Sequence, residues 1–86
     1  MQLPSKTKIR KLQDTAIDIR INLIKMLAEA GTGHTAGSLG MTDIFTAFYF
    51  HVLKHRPTDP NWSGRDRLIL SNGHICPVRY ASMAQA

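Results

Sequence analysis

The sequence predicts an α/β fold that is mostly helical within this chain and contains one short strand. Two long segments carry apolar residues at intervals of three and four, which is the period of an α-helix. A short apolar run, Leu68-Ile69-Leu70, is ended by a turn and is typical of a buried strand. Pro77 suits the first turn of a further helix. Because a buried strand needs neighbours on both edges, we expect these residues to begin a larger α/β domain or to pair with another chain.

Length and composition allow one small domain at most. The chain has 86 residues and a formal net charge of +5, and its 43% hydrophobic content argues against disorder. No apolar run approaches the roughly 18 residues that cross a bilayer, and Met1–Lys6 lacks the apolar segment of a secretory signal. Cys76 is the single cysteine, so an intrachain disulfide is excluded. We therefore expect a cytoplasmic protein.

The first helix is predicted over Thr7–Ala30. Its apolar surface exceeds what a lone amphipathic helix needs, so we expect burial on more than one side. Gly31 follows at once, where a left-handed C-cap is expected. The apolar positions are Ile9, Leu12, Ala16, Ile17, Ile19, Ile21, Leu23, Ile24, Met26, Leu27 and Ala30.

A second helix is predicted over Met41–Lys54. Thr42 suits its N-cap, and the Asp43 carboxylate complements the helix dipole in the first turn. A loop, Pro57–Arg67, follows it and holds two prolines and several turn-forming residues. Trp62, in the middle of that loop, is expected to pin the loop to the core.

Two glycine-flanked turns each carry a histidine. The first is the loop Gly31–Gly40 with His34, whose glycines and hydroxyls let backbone N–H groups approach a ligand. The second is Ser71-Asn72-Gly73-His74, at the end of the predicted strand, where ligands bind in open α/β sheets and a helix N-terminus favours an anion. An imidazole can move a proton near neutral pH. The alternatives are a flexible connection for the first loop and a surface or capping histidine for the second.

Other residues offer weaker signals. His51 and His55 have the i, i+4 spacing of paired zinc ligands, but the glutamate of a HExxH motif is missing, and His55 also suits a helix C-terminus. Cys76 lies close to His74 and could be a nucleophile, although a small buried thiol is the simpler interpretation.

Basic residues crowd the N-terminus, at Lys6, Lys8, Arg10 and Lys11. They suggest an alternative function, a small basic helical module that binds nucleic acid or a protein partner. No recognition signature for RNA or DNA accompanies them, and a solvated helical turn explains them equally well.

Three successive segments resemble the N-terminal, pyrophosphate-binding part of transketolases. They are AIDIRINLIKMLAEAGTGH (16–34), GSLGMTDIFTAFYFHVLKHRP (37–57) and DPNWSGRDRLILSNGH (59–74). The elements SLGM, DPNW with RDR, and SNGH are specific in combination. The resemblance runs from about Ile9 to the end of the chain and is nearest to the N-terminal subunits of two-chain bacterial transketolases.

This resemblance implies a thiamine diphosphate-binding fold with helices around a parallel sheet, of which residues 1–86 form an incomplete N-terminal piece. It implies a transferase that moves a two-carbon ketol unit from a ketose phosphate to an aldose phosphate in the pentose phosphate pathway. The implied cofactors are thiamine diphosphate and Mg²⁺ or another divalent cation. His34 matches a histidine that contacts substrate and assists proton transfer, and His74 one that contacts the diphosphate. Arg65, Asp66 and Arg67 are expected to fix the loop.

The sequence also departs from the family. Thr35-Ala36 stand where Pro-Gly is usual, and the Gly-Asp-Gly motif of the metal and diphosphate site does not occur. The pyrimidine-binding domain with its activating glutamate is absent too. We therefore expect the metal ligands to lie outside this chain, and the isolated chain to be inactive. The expected partners are a sugar phosphate and the C-terminal transketolase part or subunit, in a homo- or hetero-oligomer without nucleic acid or membrane.

Overall fold

Residues 3–86, which the computed structural model describes, form helices around one small apolar core. The helices are α1 (Lys6–Ala30), α2 (Ala36–Gly40), α3 (Thr42–Ala47) and α4 (Cys76–Gln85), with a π-helical turn at Phe48–Val52 and a 3₁₀ turn at Gly73–Ile75. Met1 and Gln2 lie outside the described residues. They belong to the segment Met1–Lys6, in which the sequence indicates no secretory signal. Among the described helices, none combines the length and the apolar character needed to span a membrane.

Both ends of α1 are capped, and the cap at its C-terminus is the one that the sequence predicts. The Ser5 side chain accepts a hydrogen bond from the Lys8 N–H at 3.1 Å, and the helix begins one residue before the predicted start. Gly31 adopts φ 71°, and its N–H donates to the Leu27 carbonyl at 3.0 Å. The predicted left-handed C-cap is therefore confirmed, because glycine carries no Cβ that would oppose this conformation.

Only one side of α1 is buried within the described residues. The core consists of Ile19, Leu23, Phe45, Ile75, Val78 and Ala81, which come from α1, α3 and the C-terminal helical segment. Ile17, Ile21 and Ile24 are 54%, 46% and 53% exposed. The expectation that α1 is buried on more than one side is thus wrong for this chain, because no described segment packs over the isoleucines.

The second predicted helix is formed, with a different start and end. Thr42 is not the N-cap: it is buried, and its hydroxyl donates to the Ser38 carbonyl at 2.9 Å, while Met41 holds the cap position. The helix ends at Val52 rather than Lys54, because Leu53 turns to an extended conformation with ψ 135°.

The loop predicted over Gly31–Gly40 contains a helix that the sequence pattern did not indicate. Residues Ala36–Gly40 form α2, in which Ser38 is fully buried. The Leu39 N–H donates to the Thr35 carbonyl at 2.9 Å. Packing overrides the low helix propensity of glycine here, since α2 contacts both α4 and the 3₁₀ turn.

The predicted strand at Leu68–Leu70 is not formed, and residues 3–86 contain no strand. The α/β class is therefore not visible in this chain. The side chains nevertheless alternate as in a strand: Leu68 and Leu70 pack against the core, whereas Ile69 is 88% exposed. The physical reason is that a strand is defined by its hydrogen-bonded neighbour, and no described segment lies beside this one.

The burial pattern of α1 makes a testable prediction. Leu23→Ala removes a fully buried side chain and should lower the free energy of unfolding by about 2–5 kcal/mol. The matched control is Ile21→Ala, which removes a half-exposed side chain and should cost less than about 1 kcal/mol. Urea titration of the 86-residue chain, followed by circular dichroism, measures both; equal losses would contradict the assignment of the buried face.

Candidate functional site

The structure brings His34 and His74 into contact. Their ring centroids lie 4.6 Å apart, and the ring planes meet at 88°, an edge-to-face arrangement. Both residues are exposed. They are 40 residues apart in sequence (74 − 34), so it is the fold that brings them together. The two glycine-flanked turns of the sequence therefore form one site.

Two glycines in left-handed conformations place His34. Gly31 ends α1, and Gly33 adopts φ 124°, a value that side-chain-bearing residues rarely reach. A Cβ on Gly33 would lie 2.5 Å from Leu27 Cδ2, so the backbone must pass close to α1. This reversal turns the chain directly before His34.

His74 is placed by the capping of the 3₁₀ turn. The Asn72 side-chain oxygen accepts from the His74 N–H at 3.1 Å, and the Asn72 carbonyl accepts from the Ile75 N–H at 3.3 Å. Ile75, only 5% exposed, anchors the turn in the core. His74 thus lies two residues before the start of α4, close to the positive end of that helix dipole.

A close backbone approach joins the two turns. A Cβ on Gly37 would lie 2.9 Å from Ile75 Cγ2, which is shorter than real Cβ contacts. Glycine at this position therefore lets α2 lie against the residue that follows His74. This contact explains why the two imidazoles meet.

The histidines line a shallow cavity of about 440 Å³ whose polar groups suit an anion. Its walls are Gly33, His34, Thr35, Ala36, Gly37, Asn72, His74 and Ile75. Imidazole N–H groups, a hydroxyl and a helix start can all donate to phosphate oxygens, so these residues fit the diphosphate of a cofactor. Within residues 3–86, no group of three or more His, Cys, Asp or Glu side chains is arranged to hold a metal ion.

The structure does not support the paired-ligand hypothesis for His51 and His55. The helix ends between them, and His55 Nε2 lies 2.6 Å from the Tyr49 carbonyl oxygen. When that nitrogen carries a proton, it donates to a carbonyl at the helix end, which is the alternative role predicted for His55. Cys76 is half-buried at the start of α4, whereas the simpler interpretation of the sequence was a fully buried thiol.

The basic N-terminal cluster is partly used within the fold. Lys8 Nζ donates to the Phe50 carbonyl at 2.9 Å, which satisfies a backbone group of the π-helical turn. Lys6, Arg10 and Lys11 are exposed. At least one of the four cations thus has a structural role, and the nucleic-acid alternative receives no further support from it.

The loop after the second helix is held mainly by its own residues. Asp66 and Lys54 are joined twice, by the Lys54 N–H to Asp66 Oδ2 at 2.8 Å and by the Asp66 N–H to the Lys54 carbonyl at 2.6 Å. Arg65 donates to the Trp62 carbonyl at 3.1 Å. Trp62 is half-buried under the Arg56 guanidinium, 3.9 Å from the ring centroid, rather than in the core. These contacts agree with the expected structural role of Arg65 and Asp66 and correct that of Trp62.

The structure also contains a second concave surface, which the sequence analysis did not predict. It has a volume of about 480 Å³, and we call it the arginine groove; its lining includes Arg56, Arg65, Arg67, Arg79, Leu53, Leu68, Ile69 and Met83. Arg56, Arg65 and Arg67 lie in or beside one loop. The close spacing of Arg65 and Arg67 in the sequence already indicated a local concentration of positive charge. Arg79 belongs to α4, and only the fold shows that it joins them.

The cavity thus joins two glycine-containing turns, each of which carries a histidine. A family model described as transketolase, thiamine diphosphate binding domain, matches residues 12–85. The chain belongs to this family, and the resemblance seen in the sequence is confirmed.

Individual relatives agree with the family match. The chain is 35% identical over 83 residues to the transketolase of Homo sapiens, which covers 96% of this chain and 13% of the relative. It is 40% identical over 75 residues to a transketolase family protein of Sinorhizobium fredii, covering 87% of this chain and 27% of the relative. It is 41% identical over 73 residues to a 6-deoxy-6-sulfo-D-fructose transketolase subunit of Clostridium, covering 85% and 26%.

The backbone conformation at Gly33 provides a second test. Gly33→Ala should lower the free energy of unfolding by about 1–3 kcal/mol and separate the imidazoles, because alanine opposes the positive φ and its Cβ meets Leu27. Gly40→Ala is the matched control, since a Cβ there meets nothing within 4 Å and φ is not positive. Urea titration gives the stabilities, and NMR contacts between the two imidazole rings give the geometry; rings that stay together in the Gly33 variant would refute this placement of His34.

Proposed function

We propose that this chain contributes the histidine side of a ketol-transfer site. The reaction moves a two-carbon ketol unit from a ketose phosphate to an aldose phosphate. The supporting observation is the 4.6 Å contact between His34 and His74 in a chain of the transketolase family. Because the chain spans only 13–27% of the relatives described above, the activity of a whole enzyme is part of this proposal.

The two histidines have different roles in this proposal. His74, next to the start of α4 and within the capped turn, donates to the diphosphate of thiamine diphosphate. His34, on the loop that precedes α2, faces the sugar phosphate and exchanges a proton with one of its oxygens. When bound, thiamine diphosphate supplies the electron sink for cleaving a carbon–carbon bond beside a carbonyl. Imidazole suits the proton transfer because it is both donor and acceptor near neutral pH.

The remaining parts of the site are assigned to other polypeptide, whether continuous with this chain or a separate subunit. Divalent-cation ligands belong there, since residues 3–86 offer no ligand cluster. The pyrimidine-binding part belongs there as well. An oligomeric enzyme in the cytoplasm, acting in pentose phosphate metabolism, completes the proposal.

The histidine roles predict separable defects. In a chimera, residues 9–86 replace the matching segment of the human relative. There His74→Ala should weaken thiamine diphosphate binding about 10-fold or more, through the loss of one charge-assisted hydrogen bond. His34→Ala should leave cofactor affinity nearly unchanged and lower kcat by about 10²–10⁴-fold, the usual contribution of a general acid–base group. Calorimetry and a ketol-transfer assay measure the two effects.

The control for this pair is Lys25→Ala, an exposed position on α1 away from the cavity. It should change neither parameter. Unchanged cofactor affinity in the His74 variant would count against the diphosphate contact, and unchanged kcat in the His34 variant would count against the proton-transfer role.

The isolated chain should not turn over substrate. Supplied with thiamine diphosphate, Mg²⁺, a ketose phosphate and an aldose phosphate, the 86-residue protein should give no product above the enzyme-free rate, because the metal and pyrimidine sites are assigned elsewhere. Clear turnover would overturn the division of the site between this chain and other polypeptide.

A further inference from the structure

Asn72 has a second polar group that its capping role does not use. Its side-chain oxygen Oδ1 accepts from the His74 N–H at 3.1 Å. Because a backbone N–H can be bonded only by an acceptor, this contact fixes which end of the carboxamide is oxygen and which is nitrogen. Within residues 3–86, the Asn72 Nδ2 forms no hydrogen bond. The amide nitrogen therefore keeps both of its N–H donors for another partner.

The Asn72 carboxamide belongs to the cavity that holds both histidines. Asn72 lines the same space of about 440 Å³ as His34 and His74. Since Oδ1 is engaged by the backbone, Nδ2 is the polar atom that this side chain can offer to a molecule in the cavity. Asn72 caps the 3₁₀ turn that carries His74, and the buried Ile75 anchors that turn. The amide and the His74 imidazole are thus two donors on one anchored turn.

The polar side chains of the cavity include no negatively charged group. They belong to His34, Thr35, Asn72 and His74, and none of the lining residues is aspartate or glutamate. An imidazole offers one N–H when neutral and two when protonated, whereas the carboxamide keeps two donors in either condition. A free amide donor among such neighbours suits a ligand rich in acceptor oxygens, and hydrogen bonds to an ionised acceptor are the stronger ones.

The position of Asn72 selects the diphosphate over the sugar phosphate. Asn72 is bonded to the backbone of His74, whereas His34 lies on the separate loop that precedes α2. In the proposed function, His74 contacts the diphosphate and His34 contacts the sugar phosphate. A diphosphate carries acceptor oxygens on two linked phosphorus atoms, so it can accept from two donors of the same turn at once.

We propose that Asn72 is a second diphosphate-binding residue of this chain. Its Oδ1 holds the turn of His74, and its Nδ2 donates to a diphosphate oxygen of thiamine diphosphate. One side chain thus joins positioning to binding, because the bond that fixes the turn also orients the amide donor. This proposal deepens the proposed function and rests on its assignment of the diphosphate to this cavity.

Asn72→Asp tests the donor while keeping the capping oxygen. Aspartate caps a turn about as well as asparagine, but it replaces the amide by a negatively charged oxygen. In the chimera with residues 9–86, we expect about 100-fold weaker binding of thiamine diphosphate, because a donor is lost and like charges meet. The matched control is Ser71→Asp, which makes the same change in net charge at an exposed residue outside the cavity lining. It should have less than about a 3-fold effect at physiological salt, which screens exposed charges.

Asn72→Ser removes the amide without adding charge. The shorter serine hydroxyl can still accept from the turn, so we expect about 10-fold weaker cofactor binding, from the loss of one hydrogen bond to a charged group. Calorimetry measures the affinities of all variants. The KM for the ketose phosphate at saturating cofactor should stay within about 2-fold, because this bond is assigned to the cofactor.

NMR of the 86-residue chain gives a readout that does not depend on activity. Inorganic diphosphate should shift the side-chain amide signals of Asn72 saturably and leave those of Asn22, which is bonded to Gln85 on the surface, in place. Contacts between the His34 and His74 rings should persist in both Asn72 variants. A loss of affinity then reports the missing donor and not a displaced turn.

Several results would overturn the proposal. Unchanged cofactor affinity in both Asn72 variants would refute the contact; if His74→Ala still weakens binding, the proposed function survives this failure. Equal losses in Asn72→Asp and Ser71→Asp would show an effect of charge alone. Separated imidazole rings would reduce Asn72 to a positioning residue, and a raised KM with unchanged cofactor affinity would assign its amide to the sugar phosphate. An Asn72 amide that does not shift at millimolar diphosphate would also refute the contact.

Discussion

The close approach of Gly37 to Ile75 is the constraint on which the histidine pair depends. Ile75 is held in the core, so its position is set by packing and not by the turn alone. With glycine opposite Ile75, α2 lies flat against it, whereas a Cβ at this position would push the two segments apart. The loop that carries His34 enters α2 directly, and His74 directly precedes Ile75. A contact between two residues outside the chemistry therefore sets the distance between two imidazoles.

The same small core leaves other groups without a partner inside the chain. An 86-residue chain buries a limited fraction of its surface, and here that fraction goes to one face of α1, to α3 and to the C-terminal helical segment. The isoleucine face of α1 and the backbone of residues 67–71 remain open.

Local signals in the sequence correctly predicted α1, its glycine cap and the helix at Pro77, which is α4. Each of these features depends on neighbouring residues. The sequence indicated only that His34 and His74 could face the same ligand. Their direct contact depends on Gly37 and Ile75, which are far apart in sequence. Thr42 was misjudged as an N-cap because its hydroxyl finds the Ser38 carbonyl of α2, a helix that the glycine content concealed. The strand at Leu68–Leu70 was predicted from its alternation, which is present, but a strand also requires a neighbour. The sequence of one chain carries no information about that neighbour.

The segment from Asp66 to Ile75 links the two surfaces of the molecule. Asp66 is tied to Lys54 at one end, and the Asn72 cap holds His74 at the other. Between them lie five residues without backbone hydrogen bonds, so the stiffness of this connection comes only from the packing of Leu68 and Leu70. Because the capped turn continues directly from this segment, the packing of Leu68 and Leu70 also helps to fix the position of His74.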